Sequence, residues 1–187
     1  MINVNTDDAV RRSYWAEQMQ RGYDLIQSVL PLDVQECGEG FASIPTAAES
    51  AGVEMLVSNT KIAGDIDRVF FMRESLVKRV IDIGRDMNER GWILKIEDGY
   101  RSQEMQSRLV RKPELFDIIL GKCIWENGGK LPPVELLFRR ATVLIANIPK
   151  VGTHMSGSAI DVSVFRREDG SEVWRGNAYL EMSERTP

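Results

Sequence analysis

Residues 70–102 read FFMRESLVKRVIDIGRDMNERGWILKIEDGYRS, a stretch that holds a helix, a strand and a sharp turn in that order. Between Arg73 and Arg90 the apolar positions Leu76, Val80, Ile83 and Met87 form one stripe at helical spacing, which predicts an amphipathic helix. Gly91 stands where a left-handed residue closes such a helix. The run WILKIE at 92–97 follows at once, with Trp92, Leu94 and Ile96 on one face of a strand, and Gly99 in DGYRS (98–102) marks the turn after it. A helix feeding directly into a short strand predicts an α+β fold, with a small, mostly antiparallel sheet flanked by helices.

Working outward, Trp15, Met19, Tyr23, Ile26 and Leu30 recur at helical spacing, so a long first helix is expected over 7–30, with Thr6 as its N-cap and Pro31 as its stop. Residues 31–64 are rich in Gly, Pro, Ser and Ala and read as loops with an edge strand or two, VEMLV at 53–57 among them. Ser102 can cap a helix running to about Arg111, and Pro113 can open a short one. Asn127, Gly128 and Gly129 form a loop. Pro132 and Pro133 then start a helix with the stripe Val134, Leu137, Ala141, Leu144 and Ile148, which Pro149 ends. The segment KVGTHMSGSAIDVSVF at 150–165 runs from a Gly/Ser loop into a strand. There Ile160, Val162 and Val164 take the apolar face, and Ala159, Asp161 and Ser163 take the wetter one.

Composition narrows the function. With 187 residues, 43% apolar and 28% charged, the chain has the make-up of an ordinary globular domain and shows no repeat or linker, so one domain over 1–187 is expected. No apolar run approaches the roughly 20 residues of a membrane span, and the first residues carry no secretory h-region. The 24 Lys and Arg against 28 Asp and Glu leave a formal net charge of −4, which argues against nucleic acid as a partner. Cys37 and Cys123 fall in no CxxC pattern and read as reduced thiols of a cytoplasmic protein. His154 is the single histidine, so the chain cannot build a two-histidine zinc motif.

Three features carry potential chemistry. His154 and Asp161 can converge on one metal ion, because Gly157 lets the loop fold back over the polar face of the strand. On spacing alone, a single histidine in a Ser/Gly loop is more often a solvated or hydrogen-bonded loop residue. Arg101, just past a buried strand, can present a fork of donors to a carboxylate or an oxyanion, or else pair with a surface glutamate. Asp98 can orient Arg101 or simply cap its own turn.

Read together, EDGYRS (97–102) and GTHMSGSAID (152–161) resemble the zinc-dependent D-alanyl-D-alanine dipeptidases and their D,D-carboxypeptidase relatives, and 70–102 resembles the dipeptidase branch in particular. The resemblance spans roughly residues 65 to 165. It implies that His154 and Asp161 are zinc ligands and that Arg101 polarises the scissile carbonyl and stabilises the tetrahedral intermediate. It further implies a small D,D-peptide as substrate and an acidic residue near the C-terminus, for which Glu181 is a match, to take the substrate amine. The family completes its site with a downstream Glu-x-x-His, which supplies the general base and a third ligand; these 187 residues contain no such pair. Further departures are Gly152 where the family has Ser, Ser156 where it has Arg, and Ser102 where it often has Pro. The expectation is therefore a metallopeptidase-like domain interrupted at its C-terminus. It hydrolyses D-alanyl-D-alanine or a similar small peptide, or else is an inactive or truncated homologue, or a D,D-carboxypeptidase. A small α+β binding module, in which the loop is only a turn, is the reading from another class.

Overall fold

The computed structural model describes residues 4–62, 64–145, 148, 150–174 and 176. Helix α1 spans Val4–Val29, β1 Phe41–Ser43, α2 Ile44–Ser50, β2 Met55–Val57, β3 Phe71–Arg73, α3 Glu74–Glu89 and β4 Trp92–Asp98. Then follow α4 Gln103–Val110, α5 Pro113–Glu126, α6 Val134–Ile145 and β5 Asp161–Arg166. The fold is α+β, and the strands make two small sheets. One is the antiparallel pair β1 and β3. In the other, β4 is central, with β2 parallel on one side and β5 antiparallel on the other. The chain divides into two compact units, one holding α1, α5 and α6 and the other holding all five strands with α2, α3 and almost all of α4.

In the mixed unit the core forms where α3 covers one face of the larger sheet. Val77, Val80 and Ile81 of α3 pack with Leu94 and Ile96 of β4, and Ile160, Val162 and Val164 join from the β5 side. The apolar face expected for residues 160–164 is therefore the core face. On α3 Val77, Val80, Ile81 and Gly84 are buried, whereas Ile83 is exposed. Of the predicted stripe Val80 is buried and Leu76 and Met87 pack against the core, so Ile83 alone fails; in its place the helix approaches closely at Gly84, where a Cβ would stand 2.9 Å from Val53 and Met55. Arg90 closes α3 and Gly91 follows at a φ of +79°.

Residues 31–64 contain a short helix beside the expected strand. Ser43 caps α2 by accepting the Thr46 N–H, and Pro45 stands in the first turn, so the local signals were those of a helix start. Helix α1 begins at Val4, ahead of Thr6, and α5 is a full 14 residues.

In the helical unit, α1, α5 and α6 pack together around a buried ion pair. The Glu126 carboxylate accepts from Arg140 Nε at 2.8 Å and from Trp15 Nε1 at 3.1 Å, and its other oxygen takes Arg140 Nη2. On α6 it is Arg140 and Thr142 that are buried, while Val134, expected in the buried stripe, is 83% exposed. Leu137, Ala141 and Leu144 of that stripe are half-buried, and Arg140, three and four residues from Leu137 and Leu144, shares their side of the helix, where its charge must meet Glu126. Cys123 lies buried on α5, and burial pushes its thiol pKa up; Cys37 is exposed, and both are free thiols. Removing one member of such a pair strands the other, so Glu126→Ala is expected to cost about 3–5 kcal/mol in chemical unfolding. A loss under 1 kcal/mol would mean that the helices do not depend on the pair.

Candidate metal centre

The mixed unit brings four of the sequence-predicted residues together at the end of the larger sheet. Asp98 ends β4, Asp161 begins β5, and the two are opposite one another across the ladder. Arg101 lies in the turn after β4, and His154 comes from the loop before β5. Glu181 lies outside the described residues.

The turn at 98–101 is held by main-chain geometry. Gly99 passes so near the strand-entry segment that a Cβ there would stand 2.6 Å from Val69 O, and Tyr100 bridges to Val69. The Asp98 side chain is fully buried. Its Oδ1 accepts the Gly99 N–H at 3.0 Å, and its Oδ2 takes Arg101 Nε at 2.6 Å and Arg68 Nη1 at 3.0 Å. Of the two readings for Asp98, orienting Arg101 and capping the turn, both geometries are present.

Arg101 bridges three groups. Besides Asp98, its Nη2 donates to Asp161 Oδ2 at 2.9 Å and its Nη1 to Gln106 Oε1 at 3.3 Å. Gln106 is reached because Ser102 caps α4, accepting the Met105 N–H at its Oγ and the Gln106 N–H at its carbonyl. These bonds use one hydrogen from each guanidinium nitrogen, and Nη1 and Nη2 each carry a second.

His154 is tied to the same turn twice. The Arg101 N–H donates to His154 O, and His154 Nδ1 meets Gly99 O at 2.7 Å. A carbonyl oxygen can only accept, so Nδ1 carries the proton. The opposite nitrogen, Nε2, faces Asp161 Oδ1 at 3.5 Å. The His154 side chain is 16% exposed and that of Asp161 32%, so the pair lies near solvent beside a buried anchor. Asp161 thus has the partly wet position expected of it, whereas Ser163, two residues on, is buried. Among the described residues no group of three or more His, Cys, Asp or Glu gathers to hold a metal.

The His154 loop has its own support. Arg73 Nε donates to Ser156 O at 2.9 Å, and the Arg73 N–H donates to Gly157 O at 2.9 Å. The Arg73 guanidinium stacks over Phe41, 4.5 Å from the ring centroid, and pairs with Glu36. Gly157 adopts a φ of +72°, and a Cβ there would overlap the Phe41 ring, so glycine is required for both conformation and space. The chain before Phe41 closes the arrangement. The Glu74 N–H donates to Gly40 O and the Ser75 N–H to Glu39, which satisfies two of the open amides at the start of α3 that Arg73, as N-cap, does not. The Arg73 guanidinium beside it holds the Glu36 carboxyl below the usual range, and the Ser75 N–H does the same for Glu39.

Sequence reasoning did not single out Arg68, Arg73 or Gln106. The arginines' key partners, Asp98 and the 156–157 carbonyls, are far along the chain, and no spacing rule reaches them. Comparison with protein-family models, with curated proteins and with solved structures finds no match for this chain.

Two expectations follow. Gly157→Ala is expected to destabilise the protein by about 1–3 kcal/mol, because it adds backbone strain to a clash; a thermal melt unchanged from wild type would contradict this. A carboxylate with a lowered folded pKa stabilises above its unfolded pKa, and that contribution is lost as pH falls through the folded value. Protection of the Ser75 amide from hydrogen exchange should therefore persist at pH 5. It should fall away only below the ordinary glutamate range of about 4. Loss already near pH 6 would show that Glu39 does not hold it.

Proposed function

We propose that the mixed unit carries a zinc site of the D-alanyl-D-alanine dipeptidase type, with His154 and Asp161 as two of the metal's protein ligands. The observation that carries this reading is the 3.5 Å separation of His154 Nε2 and Asp161 Oδ1, with Nδ1 committed to Gly99 O. In a neutral imidazole so oriented, Nε2 bears a lone pair aimed at a carboxylate oxygen, an arrangement of two acceptors that a cation between them resolves. Two donors about 2.0–2.2 Å from one tetrahedral ion stand roughly 3.3–3.6 Å apart, which supports the pair as ligands. The tie from Nδ1 to a backbone carbonyl is the kind of outer contact that fixes a ligating histidine's tautomer.

When bound, zinc would activate a water and polarise a carbonyl. The chain's own residues would supply the rest of the environment. Arg101, anchored on Asp98 and Asp161, keeps hydrogens on Nη1 and Nη2 with which to meet a developing oxyanion. The Gly99 carbonyl, accepting from Nδ1, holds the imidazole ring in one orientation. Among the described residues no third His, Cys, Asp or Glu gathers with His154 and Asp161. A two-donor site binds zinc weakly, so slow or background turnover of a small D,D-peptide by this chain is the expected outcome.

Zinc titration followed at the His154 ring nitrogens tests the assignment, with D-alanine release from D-alanyl-D-alanine measured alongside. Zinc should perturb Nε2 and leave Nδ1 bonded, and Asp161→Asn should remove the response. Zinc that binds without touching Nε2 would overturn the site. If turnover is detected, Arg101→Ala should lower kcat by about 10²–10³-fold, as loss of one oxyanion donor does elsewhere. A near-normal kcat would remove Arg101 from the chemistry.

A further inference from the structure

We propose that Arg68 is a positioning residue of this centre: through Asp98 it holds the turn whose Gly99 carbonyl keeps His154 in the tautomer that presents Nε2 to Asp161. The role takes its meaning from the reading of His154 and Asp161 as ligands.

Arg68 and Arg101 meet on the same oxygen, Asp98 Oδ2, at 3.0 and 2.6 Å, while Oδ1 holds the Gly99 N–H. The Asp98 carboxylate is removed from water, so its charge must be met by these groups. Arg68 is itself anchored. Its Nε donates to Thr60 O at 2.9 Å and to Thr60 Oγ1 at 3.3 Å. Thr60 Oγ1 in turn hydrogen-bonds Ser58 Oγ, and the Ser58 N–H donates to Ile96 O of β4. Arg68 thus ties Asp98 to the strand that carries it by a second route. The next residue, Val69, grips the same turn from the backbone side, bridging to Tyr100 and abutting Gly99.

The consequence for His154 is directional. The hydrogen bond at one ring nitrogen decides which nitrogen carries the proton. With Arg68 present, the turn is fixed and Gly99 O meets Nδ1. Without it, Arg101 is the one guanidinium left on a buried carboxylate, and any shift of Arg101 toward Asp98 is a shift away from Asp161. The turn then loosens at Gly99, and the ring is free to take the Nε2–H form, in which Nε2 has no lone pair for a metal.

His154 is the only histidine, so its two ring nitrogens give one unambiguous pair of 15N signals. The experiment compares metal-free wild type, Arg68→Gln, Arg68→Lys and Thr60→Ala at a pH where the ring is neutral, with a thermal melt of each. Wild type should show the Nδ1–H tautomer, Arg68→Gln a shift toward Nε2–H, and Arg68→Lys, which keeps the charge, a return toward wild type. A merely structural arginine would lower the melting temperature and leave the tautomer alone. Should Arg68→Gln fail to fold, Thr60→Ala, which removes one of the anchors, should move the same signals in the same direction by less. An unchanged tautomer in folded Arg68→Gln, or in Thr60→Ala if the former does not fold, overturns the proposal. A zinc titration separates the two readings: where wild type binds, Arg68→Gln should weaken binding by about 10–100-fold. A wild type that takes no zinc overturns the metal reading, and the ring signals still decide the role of Arg68.

Discussion

A carboxylate with no exposure to water, Asp98, is the point on which the described part of the mixed unit turns. Burying an ionised carboxyl costs several kcal/mol unless its oxygens are met, and removing a partner from such a group is far more damaging than the net value of the pair suggests. Asp98 meets the demand with two guanidinia and one main-chain N–H. Each of those partners has a second obligation. Arg101 reaches on to Asp161 and Gln106, Arg68 reaches to Thr60, and Gly99 offers its carbonyl to His154. One expensive charge therefore sets the positions of three chain segments that are distant in sequence.

The His154 loop is supported from a separate direction. Arg73 holds the Ser156 and Gly157 carbonyls, and the segment 36–41 holds Arg73 through a carboxylate and an aromatic face. Phe41 also meets Tyr100 edge-on, with ring centroids 5.2 Å apart, so the support of the loop and the support of the turn touch. Two arginines thus organise the region by opposite means. Arg68 acts on a side-chain carboxylate and Arg73 mainly on backbone oxygens, uses to which a forked planar cation is suited and an ammonium is not.

How much of this was legible in the sequence follows from the range of each interaction. Helix α3 and strand β4 were legible because period and capping are local properties, written within some 15 residues. What was not legible on α3 is that Gly84 rather than Ile83 belongs to the buried side, because that is settled by the close approach of Val53 and Met55, about 30 residues earlier in the chain. Helix α2 was missed although Ser43 and Pro45 mark its start, because the Gly- and Ser-rich surroundings outweighed a two-residue signal. On α6 the apolar pattern was right for the half-buried Leu137, Ala141 and Leu144 but gave no sign that the buried positions would be Arg140, which faces Glu126, and Thr142, or that Val134 at the helix start would be exposed. The convergence of His154, Asp161 and Arg101 was not legible from spacing, which favours a solvated loop histidine; it was suggested only by the resemblance that the strings at 97–102 and 152–161 carry together. Arg68, in the loop before β3, carried no such signal, since a lone arginine there looks like any solvated charge until its partner is seen.

The sheet itself explains why Arg101 stands where it does. Along β4 and β5 the pairing is regular from Trp92 opposite Arg166 to Ile96 opposite Val162, and then shifts, so that Asp98 rather than Glu97 lies opposite Asp161. A shift of this kind is a β-bulge, which places two residues of one strand against one of its partner and re-aims the side chains beyond it. Here it sets two aspartates across from each other, and like charges so placed repel. Arg101 resolves the conflict by donating Nε to one and Nη2 to the other. The guanidinium is thus required by the fold before any ligand arrives, and what it could contribute to chemistry at Asp161 is a second use of a position that electrostatics had already assigned. For that reason a substitution at Arg101 acts on stability and on the site together, and the two effects separate only when unfolding and ligand binding are measured on the same variant.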